Sequence, residues 1–175
     1  MAKTVKLQTS RYDLHLLIDM LHIKRAVEVG TSYGWYSYYM LKNTKLEQLW
    51  SVDSYQGKFE REIEDSSVLL AEFGERSRLV HMKSVDAAKM AADNEDRFGY
   101  VYIDGEHRHY AVVRDIDSWL PLITRPGILA GHDYIVAGRT GVIPAVQAIA
   151  DKLNVPIYLT RETWASWFLI LGAET

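Results

Sequence analysis

Short apolar, β-branched runs alternate with amphipathic stretches along most of the chain, and that rhythm leaves few folds open. The runs are Arg25 to Val29, Gln48 to Val52, Arg78 to Met82, Tyr100 to Ile103 and Ile128 to Ala130. Between and after them lie segments with helical character: Trp35 to Leu41, Gly57 to Phe73, the alanine-rich Val85 to Ala92, Tyr110 to Leu122 and Val142 to Leu153. Parallel neighbours in a sheet need a crossover, usually a helix, so this alternation predicts an α/β doubly wound, mostly parallel sheet with helices on both faces. Pro156 to Leu159 and Trp164 to Leu171 read as two closing strands, the second rich in aromatics as an antiparallel edge can be. Ahead of the sheet, Ser10 to His22 sets Leu14, Leu17, Ile18 and Leu21 at helical spacing, with Ser10 as its cap. The chain thus divides into an N-terminal helix and cap segment, residues 1–24, and an α/β body, residues 25–175, in one domain overall.

Composition removes whole classes of function. A length of 175 residues suits one domain with a real core, and 48% hydrophobic against 25% charged residues excludes disordered and collagen-like chains. The net charge of -3 offers no broad basic field, which argues against nucleic acid as an obligate partner. With no cysteine, disulfides, thiolate catalysis and cysteine-based zinc sites are excluded, and a reducing compartment fits. The N-terminal MAKTVKLQTSRYDLHLL has no apolar core followed by a small-residue cleavage site, and no apolar run approaches the length of a bilayer span. The expectation is a cytoplasmic protein with no membrane partner.

In open α/β sheets ligands bind beyond the carboxyl ends of the strands. Here those ends carry Glu28 and Gly30, then Asp53, Asp104, and His132 with Asp133. Four acids and a histidine at successive strand ends are hard to explain by packing, and Glu28, an acid within an apolar strand, needs a partner if buried. The turn Gly30-Thr31-Ser32-Tyr33-Gly34 lets the backbone approach a ligand, since glycine tolerates conformations closed to other residues. It lacks both the Gly-x-Gly-x-x-Gly dinucleotide pattern and a Gly-Lys-Ser/Thr phosphate loop, so a nucleoside without phosphates is favoured. Asp53 stands about twenty residues further on, where an acid accepts both hydroxyls of a ribose.

Glu28-Val29-Gly30-Thr31-Ser32-Tyr33-Gly34, Ser51-Val52-Asp53 and Tyr102-Ile103-Asp104-Gly105-Glu106-His107 together resemble class I S-adenosylmethionine-dependent methyltransferases. Gly127-Ile128-Leu129-Ala130-Gly131-His132-Asp133-Tyr134 is similar to the fifth-strand motif of methyltransferase family 24. The resemblance runs from about Arg25 to Leu171, with the motifs in family order. It implies a Rossmann-like sheet of seven strands, mostly parallel, with the last strand antiparallel between the fifth and sixth. It implies S-adenosylmethionine as cofactor, bound by residues 25–175. Glu28 and Gly30 would hold its methionine end and Thr31, Ser32, Tyr33 and Gly34 its turn. Asp53 would take the ribose with Ser54 and Tyr55 nearby, Ser84 and Val85 would border the adenine, and Asp104 would face the sulfonium. The chain departs from the family's Asp-Gly-Asp-His-Ser-Tyr-Glu by reading Asp104-Gly105-Glu106-His107-Arg108-His109-Tyr110, which puts a substrate role for this loop in question.

Similar O-methyltransferases of the catechol and sugar types hold a divalent cation through acids after the fourth and fifth strands. The matching residues are Asp104 and Asp133, with His132 beside them as a candidate third ligand. Hard oxygen ligands suit Mg2+ or another divalent cation, which would lower the pKa of a substrate hydroxyl. The other reading makes His132 a general base oriented by a neighbouring acid, so that Asp104, His132 and Asp133 form the catalytic set. His107 and His109 beside Glu106 read as a capping and surface feature rather than a metal cluster. Of Tyr33, Trp35, Tyr36, Tyr38 and Tyr39, half should be core and the rest could roof a substrate. Trp164 and Trp167 read as edge packing or as a face for a second copy of the chain.

The reading that unites these features is a minimal O-methyltransferase acting on a small hydroxylated molecule, its thin roof open to completion by a second protomer. Two rivals stand beside it: a non-catalytic binder of S-adenosylmethionine or S-adenosylhomocysteine, and a hydroxylase-pathway relative of the same fold.

Overall fold

The computed structural model describes residues 1–57, 61–135 and 141–172. Its strands are β1 (Thr4–Lys6), β2 (Arg25–Val29), β3 (Gln48–Asp53), β4 (Ser77–His81), β5 (Phe98–Ile103), β6 (Ile123–Gly131), β7 (Ile157–Leu159) and β8 (Trp167–Leu171). The helices are α1 (Leu14–Met20), α2 (Trp35–Asn43), α3 (Glu62–Leu70), α4 (Ser84–Asp93), α5 (His109–Trp119) and α6 (Val142–Leu153). All eight strands lie in one sheet, in the order β1-β7-β8-β6-β5-β2-β3-β4. Strand β8 runs antiparallel between β6 and β7, and every other pairing is parallel.

The core explains why the runs are so apolar. Val27, Val29, Trp50, Val52, Val101 and Ile103 point to one face, under Ala87 and Ala91 of α4, Ile116 of α5 and Val146 of α6. Ala26, Leu49, Tyr100, Tyr102 and Ile128 point to the other, under Leu14 of α1, Met40 of α2 and Leu70 of α3. A strand covered on both sides must be apolar at both parities, and each large side chain fully buried there contributes roughly 1.5–3 kcal/mol.

Several boundaries differ from the sequence expectation. The sheet has eight strands, not seven, because Thr4–Lys6 pairs in parallel with Ile157–Leu159. That strand is three residues long and mostly exposed, so it leaves neither an apolar run nor a clean alternation. Residues 1–24 therefore contribute to the sheet as well as capping it. The expected helix from Ser10 to His22 is a 3-10 turn, Arg11–Asp13, followed by the shorter α1, with Ser10 capping through its hydroxyl and Asp13 returning the bond to the Ser10 N–H. The helix expected from Gly57 to Phe73 is α3 and a 3-10 turn over Ala71–Arg76, broken at Gly74, and residues 58–60 lie outside the described residues. Pro121 sits in a 3-10 turn after α5 rather than within the helix. Strand β8 is interior to the sheet and Trp167 is fully buried, so Trp167 is neither edge packing nor a surface for another protomer; Trp164 is exposed.

The carboxyl ends of β2, β3, β5 and β6 share one edge with the start of β8, where Gly131 pairs with Trp167. Gly30 links two of them. Its φ is +89°, and a Cβ there would collide with the main chain of Asp104 and Gly105, so only glycine lets the loop after β2 lie against the loop after β5. The Asp104 N–H closes the joint by donating to Val29 at 2.7 Å.

Candidate active site

On the β2–β3 side Asp53 is held by backbone donors and its neighbours by hydroxyls. The Asp53 carboxylate accepts from the Ser32 N–H at 3.0 Å through Oδ2 and from the Tyr55 N–H at 2.8 Å through Oδ1. Each oxygen keeps a further acceptor direction, which a vicinal diol could use. Ser32, at φ +50°, donates its hydroxyl to Glu62 at 2.7 Å, tying the glycine turn to α3. Thr31 is buried, with no hydrogen-bond partner for its Oγ1 among the described residues. Gly34 leads into α2 with φ +83°, and Tyr33 stands exposed beside it.

Glu28 has the partner its burial demands. It is 2% exposed and accepts from the Ser37 hydroxyl, which also bonds Ser51 at 2.7 Å. Burial pushes its carboxyl up to about 8 against the opposing effect of the Ser37 bond, so at neutral pH it is largely protonated. Tyr55 is turned into the core, where its hydroxyl bonds Ser66 at 2.7 Å; its N–H, not its ring, serves Asp53. The Ser54 carbonyl is held by His81 at 2.9 Å. Ser84 opens α4 past the end of β4 and accepts from the Trp119 indole at 3.0 Å, with Val85 next to it. Its hydroxyl is thus already engaged in joining α4 to α5.

On the β5–β6 side, side chains from separate segments converge. Asp104 lies 3.5 Å from His107 Nε2 and 3.6 Å from His132 Nδ1, while Asp133 lies 2.9 Å from His107 Nδ1 and 3.2 Å from His132 Nδ1. Asp133 holds its place with φ +58°. One ligand atom each from Asp104, His107 and Asp133 fall within 4.8 Å of one another, a group that could hold a metal ion. Asp104 foremost, with Asp133 behind it, draws the His107 imidazole above its ordinary pKa, whereas burial lowers that of His132. Two imidazoles displaced in opposite directions are how one site keeps an acid and a base at the same pH.

The sequence reading joined Asp104, His132 and Asp133, and the structure brings all three together. It underrated His107, which completes the group of three atoms in place of His132. The signal was there, a histidine three residues past Asp104 on the same turn. Glu106 and His109 do not join: Glu106 pairs with Arg108 and Tyr110, and His109 opens α5 on the surface. Among the aromatics Tyr36 is core, bonded to Tyr100 at 2.7 Å and stacked on Tyr102, while Trp35 is 64% exposed.

Arg11 carried no local sign. Its guanidinium lies 4.5 Å over the Tyr36 ring and 5.5 Å over Tyr102, with Nη1 3.6 Å from Asp104. Its N–H donates at 2.6 Å to Glu162, across 151 residues of sequence. The arm from Leu7 to Arg11 thus brings a guanidinium beside Asp104 within a single copy of the chain.

The model of a family described as a methyltransferase domain matches residues 27–134, more than half of the chain. No curated protein matches. Three solved structures illustrate the likeness of fold. An O-methyltransferase from Bacillus cereus in complex with S-adenosylhomocysteine is 9% identical, covering 91% of this chain and 79% of its own, with a TM-score of 0.71. The O-methyltransferase TomG from Streptomyces achromogenes, involved in tomaymycin synthesis and in complex with S-adenosylmethionine, is 14% identical over 93% of this chain and 79% of that one, also at 0.71. A candidate rRNA methylase from Clostridium thermocellum is 14% identical over 94% of this chain and 98% of that one, at 0.69.

Proposed function

The chain belongs to this methyltransferase-domain family, and from that premise we propose that it methylates a hydroxyl of a small molecule with S-adenosylmethionine as cofactor. The observation that carries the reading is the meeting of Asp104, His132 and Asp133 next to the glycine turn that Gly30 brings against Asp104. When bound, the cofactor supplies a methyl group activated by its sulfonium. The residues fit it: Asp53 retains acceptors for a ribose, Thr31 offers a buried hydroxyl unpaired among the described residues, and Asp104 provides a carboxylate for positive charge.

In this assignment Gly30, Thr31, Ser32, Tyr33 and Gly34 shape the turn around the cofactor, and Asp53 binds the ribose through its free acceptor directions. Ser54, Tyr55, Ser84 and Val85 border the nucleoside, Tyr55 through its backbone. Glu28, neutral and buried, supports the methionine end from below. His132, kept neutral by burial, takes the proton from the acceptor hydroxyl, and Asp133 at 3.2 Å orients the imidazole. Positioning supplies much of the rate, because a direct displacement needs the nucleophile in line.

The Asp104–His107–Asp133 group supports a second reading, in which a divalent cation held there lowers the pKa of the acceptor hydroxyl. Mg2+ would use the two carboxylates, and the imidazole would favour a transition metal instead. Methyl transfer to a panel of small hydroxylated acceptors, measured with chelator and with added Mg2+ or Mn2+, separates the two. Turnover indifferent to chelator supports His132 as base; turnover lost with chelator and restored by metal supports the cation. Firm cofactor binding with no transfer to any acceptor would contradict the proposed activity. The acidic charge and this cluster favour small acceptors over nucleic acid. Among the described residues no helix is long and apolar enough to cross a membrane.

A further inference from the structure

Arg11 is held in place from behind and left unsatisfied in front. The Leu7 N–H donates to Leu159 at 2.8 Å, the Arg161 N–H donates to Thr9 at 2.9 Å, and the Arg11 N–H reaches Glu162. These bonds sew the N-terminal arm to β7 and to the turn that follows it, and the Ser10 cap fixes the direction in which Arg11 leaves the arm. Tyr36 and Tyr102 then support the guanidinium from one side, a packing that suits its flat, weakly hydrated face.

The five N–H donors of this group make no hydrogen bond among the described residues. Nε is buried without a partner, and the nearest carboxylate oxygen, on Asp104, stands at 3.6 Å, beyond hydrogen-bonding range. The Arg11 side chain is only 19% exposed. Burial opposes its charge, yet Tyr102, Asp104, Tyr36 and Glu28 outweigh that opposition and raise its pKa. A desolvated, preorganised guanidinium with unused donors is suited to bind a carboxylate through two parallel bonds.

The surroundings specify which carboxylate. Arg11 stands at the end of β5, beside Asp104 and against Tyr36 of α2 and Tyr102 of β5, next to where the proposed function puts the methionine end of the cofactor. That end carries an α-ammonium and an α-carboxylate beside the sulfonium. Asp104 is complementary to its positive groups, and Arg11 offers a permanent positive charge beside Asp104 for its negative one.

We propose that Arg11 binds the α-carboxylate of S-adenosylmethionine and S-adenosylhomocysteine, so that the N-terminal arm is part of the cofactor site. This rests on the methyltransferase reading above. It gives the arm a role in binding and accounts for its elaborate attachment to Arg161 and Glu162. Methyl transfer itself does not require the contact; affinity for the amino-acid end does.

The test is calorimetric titration of wild type, Arg11→Gln and Arg11→Lys with S-adenosylhomocysteine and with its decarboxylated analogue, which keeps the ammonium and lacks the carboxylate. Arg11→Gln should weaken S-adenosylhomocysteine by about 10- to 100-fold and leave the analogue within about threefold of wild type. Arg11→Lys should recover part of the loss, because a point charge replaces one fork of donors. Unchanged affinity for S-adenosylhomocysteine in Arg11→Gln, or equal losses for both ligands, would overturn the proposal. Unchanged binding together with a raised KM for the acceptor would assign Arg11 to the acceptor instead. If wild type binds neither ligand, the methyltransferase reading fails with it. The analogue and Arg11→Lys both guard against misreading a damaged fold, since a collapsed arm would weaken every ligand in the glutamine variant and would not respond to restored charge.

Discussion

The two ends of the site are built on different plans. At the ends of β2 and β3, the Asp53 carboxylate is already bound by two backbone donors at 2.8–3.0 Å, and a glycine brings the loops together. At the ends of β5 and β6, four titratable side chains face one another at 2.9–3.6 Å, the two separations to Asp104 too long for strong hydrogen bonds. The first plan suits recognition of one fixed ligand, because hydrogen-bonded carboxylates do not reorganise. The second leaves protonation and ligation adjustable, which suits chemistry on the acceptor.

If that division is real, substitutions on the two sides must act on different quantities. The largest effect on turnover is expected for Asp133→Asn, which removes a charge from the pair that orients His132 and from the Asp104–His107–Asp133 group. Turnover should fall about 100-fold, with S-adenosylhomocysteine affinity within about threefold of wild type. Losses of equal size in turnover and in cofactor affinity would erase the distinction. Arg11→Gln belongs with the binding side although it comes from the arm, and its smaller affinity loss would extend that side across the mouth of the site.

The remaining effect, on stability rather than on turnover or affinity, concerns Glu28, which lies in the core beneath the binding side. Its carboxyl is raised to about 8 when folded and titrates near 4.5 in the unfolded chain. Between those values the folded state holds a proton that the unfolded state has released. The stabilising contribution is therefore complete below about pH 4.5 and is lost as pH rises through about 8. Glu28→Gln removes this titration. In thermal melts the variant should gain on wild type by roughly 10 °C between pH 5 and pH 8. A constant difference across that range would show that Glu28 is ionised throughout.

Legibility in the sequence follows the same division. Gly30, Asp53 and Asp104 sit at the ends of apolar runs, so local pattern alone assigns them to the carboxyl edge of the sheet, and the strand pairing puts them there. Glu28 announced its burial by standing inside such a run. His132 and Asp133 were legible for the same reason, closing the run from Ile128. What escaped were contributions that depend on distant pairings. Arg11 reaches the site because its arm is bound to Glu162, 151 residues away, and no periodicity encodes that. Strand β1 depends on β7 and has no apolar face of its own. His107 was visible but lay in a loop that looked like a helix cap, and only the fold of the β6 end brings Asp133 to its Nδ1. Ser84 and Tyr55 show the converse: their positions were anticipated, yet their side chains serve packing between elements.

The account rests above all on a cofactor whose nucleoside is read by Asp53. Calorimetric titration of S-adenosylhomocysteine into wild type and into Asp53→Ala tests this most directly. Binding by wild type and a loss of about 100-fold or more in the variant is the result expected, since two charge-assisted hydrogen bonds to the ribose are removed. No binding by wild type at millimolar ligand, or equal binding by both proteins, would contradict it.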